Sequence, residues 1–126
     1  MGKYGESAIR ATRLLMSREY DSPIIAWDVA TKEMFKSYAS QVKSCPKSAF
    51  LSLCGFGVII GIPKGVYCNS VKNKNYVEIA INLLKQVTEI SEKELWNKVK
   101  GNKQICYNQQ MDVVHSLWRE GLLKLS

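Results

Sequence analysis

The chain carries the same ordered string of helix signals twice, and this duplication constrains its fold more than any single motif. Tyr4-x-Glu6-x-Ala8-Ile9 recurs as Tyr76-x-Glu78-x-Ala80-Ile81. Leu14-Leu15, Ser22 and Trp27 recur as Leu83-Leu84, Ser91 and Trp96, and Ser52-Leu53, Gly57 and Ile59 recur as Ser116-Leu117, Gly121 and Leu123. The order is kept, and the second copy is shorter only in segments that read as loops. Each copy reads as a helix, a Ser-capped helix with an inward Trp, and a third helix closed by Gly and an aliphatic pair. The expected architecture is mainly α: two pseudo-repeated three-helix units, unit one over 1–68 and unit two over 74–126. A unit of about sixty residues buries little surface alone, so the two are expected to pack into one domain over 1–126 with Trp27 and Trp96 inside.

The individual elements follow from periodicity and capping. Ala8, Ile9, Ala11, Leu14 and Leu15 recur at helical spacing from Tyr4 to Met16, with Glu6 early and Arg13 late, as the helix dipole prefers. Asp21-Ser22-Pro23 places a cap before a proline at the first helical position, and the helix it opens is expected to end near Phe35. Ser44-Cys45-Pro46 is a second such start, feeding a helix that stops at Gly55-Phe56-Gly57. The β-branched run Val58-Ile59-Ile60-Gly61-Ile62, the Pro63-Lys64-Gly65 turn and Val66-Tyr67-Cys68 then fit either a short β-hairpin near 58–68 or an extended connector. Asn69–Asn75 reads as a polar linker before a helix over 74–86. The Ser91-Glu92-Lys93-Glu94 capping box opens the next helix, and Gln109–Glu120 supplies the last.

Composition limits the function classes. Forty-six per cent hydrophobic residues and 23% charged allow a covered core and exclude disordered or fibrous classes. Eighteen Lys and Arg against eleven Asp and Glu give a net charge of +7, which favours anionic partners. The amino-terminal stretch has no uninterrupted apolar core of a signal peptide, and Phe56–Ile62 is too short to span a bilayer. The expectation is a cytoplasmic protein with no membrane partner. Cys45, Cys54, Cys68 and Cys106 lack paired metal-ligand spacing, so free thiols, no metal and no cofactor are expected.

Cys45-Pro46-Lys47-Ser48-Ala49-Phe50-Leu51, Gly61-Ile62-Pro63-Lys64-Gly65-Val66-Tyr67, Asn73-Lys74-Asn75-Tyr76, Leu95-Trp96 and Gln110-Met111-Asp112-Val113-Val114 with Leu117-Trp118 form a distinctive string. It resembles that of a family of small uncharacterised bacterial proteins, and the likeness covers most of the chain. The resemblance implies a bacterial, cytosolic setting and no known activity.

Functional candidates therefore come from the residues. A three-helix unit followed by a Pro-Lys-Gly turn is similar to a helix-turn-helix of the winged type, whose third helix enters the major groove. On that reading Lys43, Ser44, Lys47 and Ser48 at the start of the third helix face bases or phosphates. Lys64 at the turn, with Lys72 and Lys74, contacts phosphate, and Asn108, Gln109 and Gln110 offer amides for reading adenine. DNA or RNA is one expected partner, and a protein partner in a non-catalytic interaction module is the alternative. No enzyme is expected: His115 has no local partner, and Ser52 and Ser116 are expected to bond helix carbonyls.

Overall fold

Serine side chains set where several helices begin. The computed structural model describes residues 2–125, and its first helix, α1 (Lys3–Met16), is followed by α2 (Pro23–Met34), where Ser22 Oγ accepts the Ile25 N–H at 3.3 Å. A one-turn helix, α3 (Tyr38–Gln41), is capped by Ser37, and α4 (Ser44–Phe56) follows. Ser70 caps α5 (Val71–Leu84) and Ser91 caps α6 (Glu92–Lys100), whose box closes with Ser91 Oγ donating to Glu94 Oε1 at 3.1 Å. The last helix is α7 (Gln110–Arg119). Gly57 and Gly121 take left-handed φ values of 73° and 76° just past α4 and α7, where a Cβ would be strained.

The protein is thus mainly helical, with no β-strand among the described residues. The hairpin option for 58–68 is corrected to an extended connector. Val58 and Ile60 spend their backbone groups on the far end of the chain: Ile60 N–H donates to Leu122 O at 3.0 Å, and Lys124 N–H donates to Val58 O at 2.7 Å. Ile59 and Leu123 form an isolated antiparallel bridge. Gly65 N–H then folds back onto Gly55 O at 3.3 Å, so the 66–68 segment has no partner strand. A winged-helix wing has no counterpart among the described residues. The Asn69–Asn75 linker is corrected as well, because α5 starts at Val71, and Ser44 lies inside the first turn of α4 rather than capping it.

Apolar stripes from all the long helices meet in one buried cluster, with Trp27 fully buried and Trp96 only 6% exposed. Trp27 stacks on Phe50 with ring centroids 5.3 Å apart, and Trp96 meets Tyr76 edge-on at 5.5 Å. Packing crosses between the halves: α1 lies on α2 and α7, while α5 lies on α6 and α4, and α4 lies against α7. No helix among the described residues is long and apolar enough to cross a membrane.

Candidate nucleic-acid interface

Three helices open at one end of the molecule. The Asp112 carboxylate in the first turn of α7 accepts the Gly2 and Gly5 N–H groups of α1, each at 2.9 Å. Lys43, which precedes α4, donates from Nζ to Gln109 Oε1 just before α7 and sits 5.8 Å over the Tyr4 ring. The starts of α1, α4 and α7 are therefore neighbours, and their dipoles add positive potential there. The segment after α2 closes over the same end, since Tyr4 Oη donates to Ser40 O at 2.8 Å and the Tyr4 and Phe35 rings are 4.5 Å apart. Lys3 in turn lies 5.8 Å over the Phe35 ring. The Phe35 and Tyr4 rings thus lie between Lys3 and Lys43, with exposed Lys36 and Tyr38 beside them in the chain after Phe35.

Of the acidic groups at this end, Asp112 is buried and bonded to the start of α1, while Glu6 is exposed and lines a groove on the flank of α1 with Arg10 and Arg13. Arg10 itself pairs with Glu33 at 3.0 Å, an exposed bond that holds the guanidinium in its charged form.

The residues singled out from the sequence divide. Lys43, Ser44, Asn108 and Gln109 share this end, Ser44 exposed and the others half-buried. Lys47 belongs to a salt bridge with Asp28 at 3.0 Å, and Ser48 beside it is half-buried. Gln110 is 2% exposed, its amide donating to Asn73 Oδ1 at 3.3 Å and its carbonyl accepting the Asn108 N–H at 3.1 Å, so it is turned into the fold and not presented to a base. Lys64 packs on Gly57 past the far end of α4, about 20 Å along a helix of that length from Lys43. Lys72 lies on α5 with Nζ 6.0 Å over the Tyr76 ring, while Lys74 lines a separate small pocket. Sequence reasoning passed over Lys3, Phe35, Lys36 and Tyr38. Their signal was the basic-aromatic adjacency of Lys3-Tyr4 and Phe35-Lys36, divided between two segments that only the fold joins.

The remaining reactive groups are fixed elsewhere. His115 Nε2–H donates to Ile90 O at 2.6 Å, and its ring lies 5.7 Å from that of Trp118. Tyr107 donates to Glu92 Oε2 at 2.5 Å; burial first, then this carboxylate, raise its pKa well above that of an ordinary phenol. Burial likewise raises the Cys54 thiol, and all four cysteines are free.

These features define an all-α protein whose helix starts gather under a basic, aromatic surface. Over residues 1–124 the chain matches a family of unknown function, DUF6979, and belongs to it. No curated protein and no solved structure matches it.

Proposed function

We propose that the protein binds single-stranded nucleic acid across the end where α1, α4 and α7 begin. The observation that carries this reading is the ring pair Phe35 and Tyr4 flanked by Lys3 and Lys43, beside exposed Lys36 and Tyr38. Ammonium groups track a phosphate backbone, and an exposed ring stacks on an unpaired base whatever its sequence. A single strand is favoured over a duplex because the groups that would read a major groove from α4 and α7 are engaged, Lys47 by Asp28 and Gln110 by Asn73. Labelled single-stranded and duplex oligonucleotides titrated at low and moderate salt test this. Single-stranded binding should fall steeply with salt, and Lys3→Glu/Lys36→Glu or Tyr38→Ala should each weaken it about tenfold. Lys64→Glu, at the other end of α4, should change it little. No binding at low salt, or an equal loss in Lys64→Glu, would sink the reading.

A protein-interaction role has its own observation. Met16, Ile24, Ile25 and Ile60 are exposed at the opposite end, beside a pocket of about 310 Å³ walled by Leu15, Tyr20, Pro23, Ile62 and Tyr67. That role predicts binding which salt hardly changes.

A further inference from the structure

A pocket of about 220 Å³ lies between α2, α3 and α4, and its lining includes Tyr38 of the proposed nucleic-acid surface. Asp28 comes from α2, Tyr38 and Gln41 from α3, Val42 from just beyond α3, and Lys47 from the first turn of α4. Ser37 Oγ accepts the Ser40 N–H at 3.2 Å and Gln41 Nε2 donates to Phe35 O at 2.8 Å, so the one-turn α3 is pinned against the end of α2. Tyr38 and Val42, four residues apart, are both exposed and offer an aromatic and an aliphatic surface to a flat ligand.

The polar part of the lining is an ordered pair. Lys47 Nζ donates to Asp28 Oδ1 at 3.0 Å, and Asp28 Oδ2 takes no hydrogen bond among the described residues. The side chains keep solvent access, 45% for Asp28 and 29% for Lys47, so a ligand can meet both without breaking the pair. Three groups then stand in fixed order: an ammonium with two N–H donors left, the shared Oδ1, and the free Oδ2.

That order selects among the bases. The pairing edge of guanine reads O6, N1–H and the 2-amino group, an acceptor followed by two adjacent donors. Lys47 Nζ meets O6, Oδ1 accepts from N1–H and Oδ2 accepts from the 2-amino group, so the carboxylate is held by two parallel charge-assisted bonds. Adenine, cytosine and thymine place an acceptor beside each donor on that edge, which sets a lone pair against one carboxylate oxygen. The edge is free only in an unpaired base. We propose that this pocket holds a guanine base of single-stranded nucleic acid, stacked on Tyr38, with Asp28 and Lys47 reading its pairing edge. The strand in this assignment rests on the single-strand reading above, whereas the guanine contacts rest on the Asp28–Lys47 pair.

Oligothymidine strands carrying one central dG, dA, dC or deoxyinosine, titrated at fixed salt beside an all-thymidine strand of equal length, test the proposal. The dG strand should bind about tenfold tighter than the all-thymidine, dA and dC strands. Deoxyinosine, which lacks only the 2-amino group, should lose most of that gain. Asp28→Asn should bring the ratio of dG to all-thymidine affinity close to one, and a ratio taken within one variant cancels the change in overall charge. Circular dichroism confirms that the variant is folded, and the deoxyinosine strand tests the carboxylate contacts without any variant. GMP and AMP, followed by amide ¹H–¹⁵N shifts, separate the base from the strand. Shifts over 28–47 with GMP that Asp28→Asn abolishes, without binding of any strand, would keep the guanine contacts and overturn the strand as their source. Equal affinity for the dG and all-thymidine strands, or deoxyinosine binding as tightly as dG, would overturn guanine recognition and leave the single-strand reading. No binding of any strand or of GMP would overturn both.

Discussion

Helices α4 and α7 lie side by side, open at the same end and exit into segments that pair with each other, yet their interiors are finished differently. On α7 the position one turn before the buried serine is Asp112, and its carboxylate gathers two α1 amides and the Ser116 hydroxyl. On α4 the corresponding position is Ser48, half-buried, and Ser52 beyond it is unpaired. The same helix pattern therefore places two buried hydroxyls alike, and a single residue type decides which is satisfied within the chain. The α7 side is a closed polar knot that anchors the start of α1. The α4 side opens onto a pocket.

The largest effect expected from this contrast is at Asp112. Asp112→Asn replaces an acceptor oxygen with an amino group facing backbone donors, leaving at least one of the Gly2, Gly5 and Ser116 donors buried and unpaired. The loss should be about 2–4 kcal/mol in urea unfolding, since a charged acceptor is removed from buried partners. Ser48→Ala, at the matching place on α4, should stay within about 0.5 kcal/mol. Equal losses at the two positions would remove the contrast. Gly5 bears on the same knot from the other side, because a Cβ there would stand 2.0 Å from Ser116 Oγ.

The two halves also differ in what they hold neutral, and alkali reads this out. Burial raises the Cys54 thiol in α4 above its usual 9.0, and Tyr107 beside α7 is raised above its usual 10.0. For both acids a raised folded pKa means that the unfolded chain ionises first. Their stabilising share is whole below the unfolded pKa and is lost as pH rises above it. Stability should thus begin to fall above about pH 9, at up to about 1.4 kcal/mol per pH unit for the deeply buried thiol. Tyr107 should add a smaller slope above about pH 10, because it is only partly buried and solvent screens it. In urea midpoints taken from pH 8 to 10.5, Cys54→Ala should remove the earlier slope and Tyr107→Phe the later one. A flat profile in the unaltered protein would show both groups to be open to solvent.

What was legible in the chain was local. Ser22, Ser91, Gly57 and Gly121 announce helix ends through groups within a few residues, and each does so in the structure. Trp27 and Trp96 sit on apolar stripes and are buried as their spacing requires. What failed depends on partners far along the chain. Asn73 looked like linker because its neighbours are polar, yet Gln110 bonds it and it is only 6% exposed. Val58–Ile60 looked like half a hairpin, and their partner turned out to be 122–124. Nothing in the chain around Asp112 announces its partners, and it is an internal cap for α1. The candidate interface was legible in Lys43, Ser44, Asn108 and Gln109, but not in Lys3 or Phe35, whose stacking needs α1 and the end of α2 to meet.

The smallest expected effect is also the sharpest test of the contrast, because it concerns a sign. Ser116→Ala removes a donor from a long 3.3 Å bond, and the carboxylate keeps its two backbone donors, so a loss of about 1 kcal/mol is expected. Ser52→Ala removes a buried hydroxyl that has no partner in the chain, so it sheds a desolvation cost with no bond to lose. That variant should be more stable by about 0.5–1 kcal/mol in urea. If Ser52→Ala is destabilised as much as Ser116→Ala, its hydroxyl is already satisfied in solution and the two helices are finished alike.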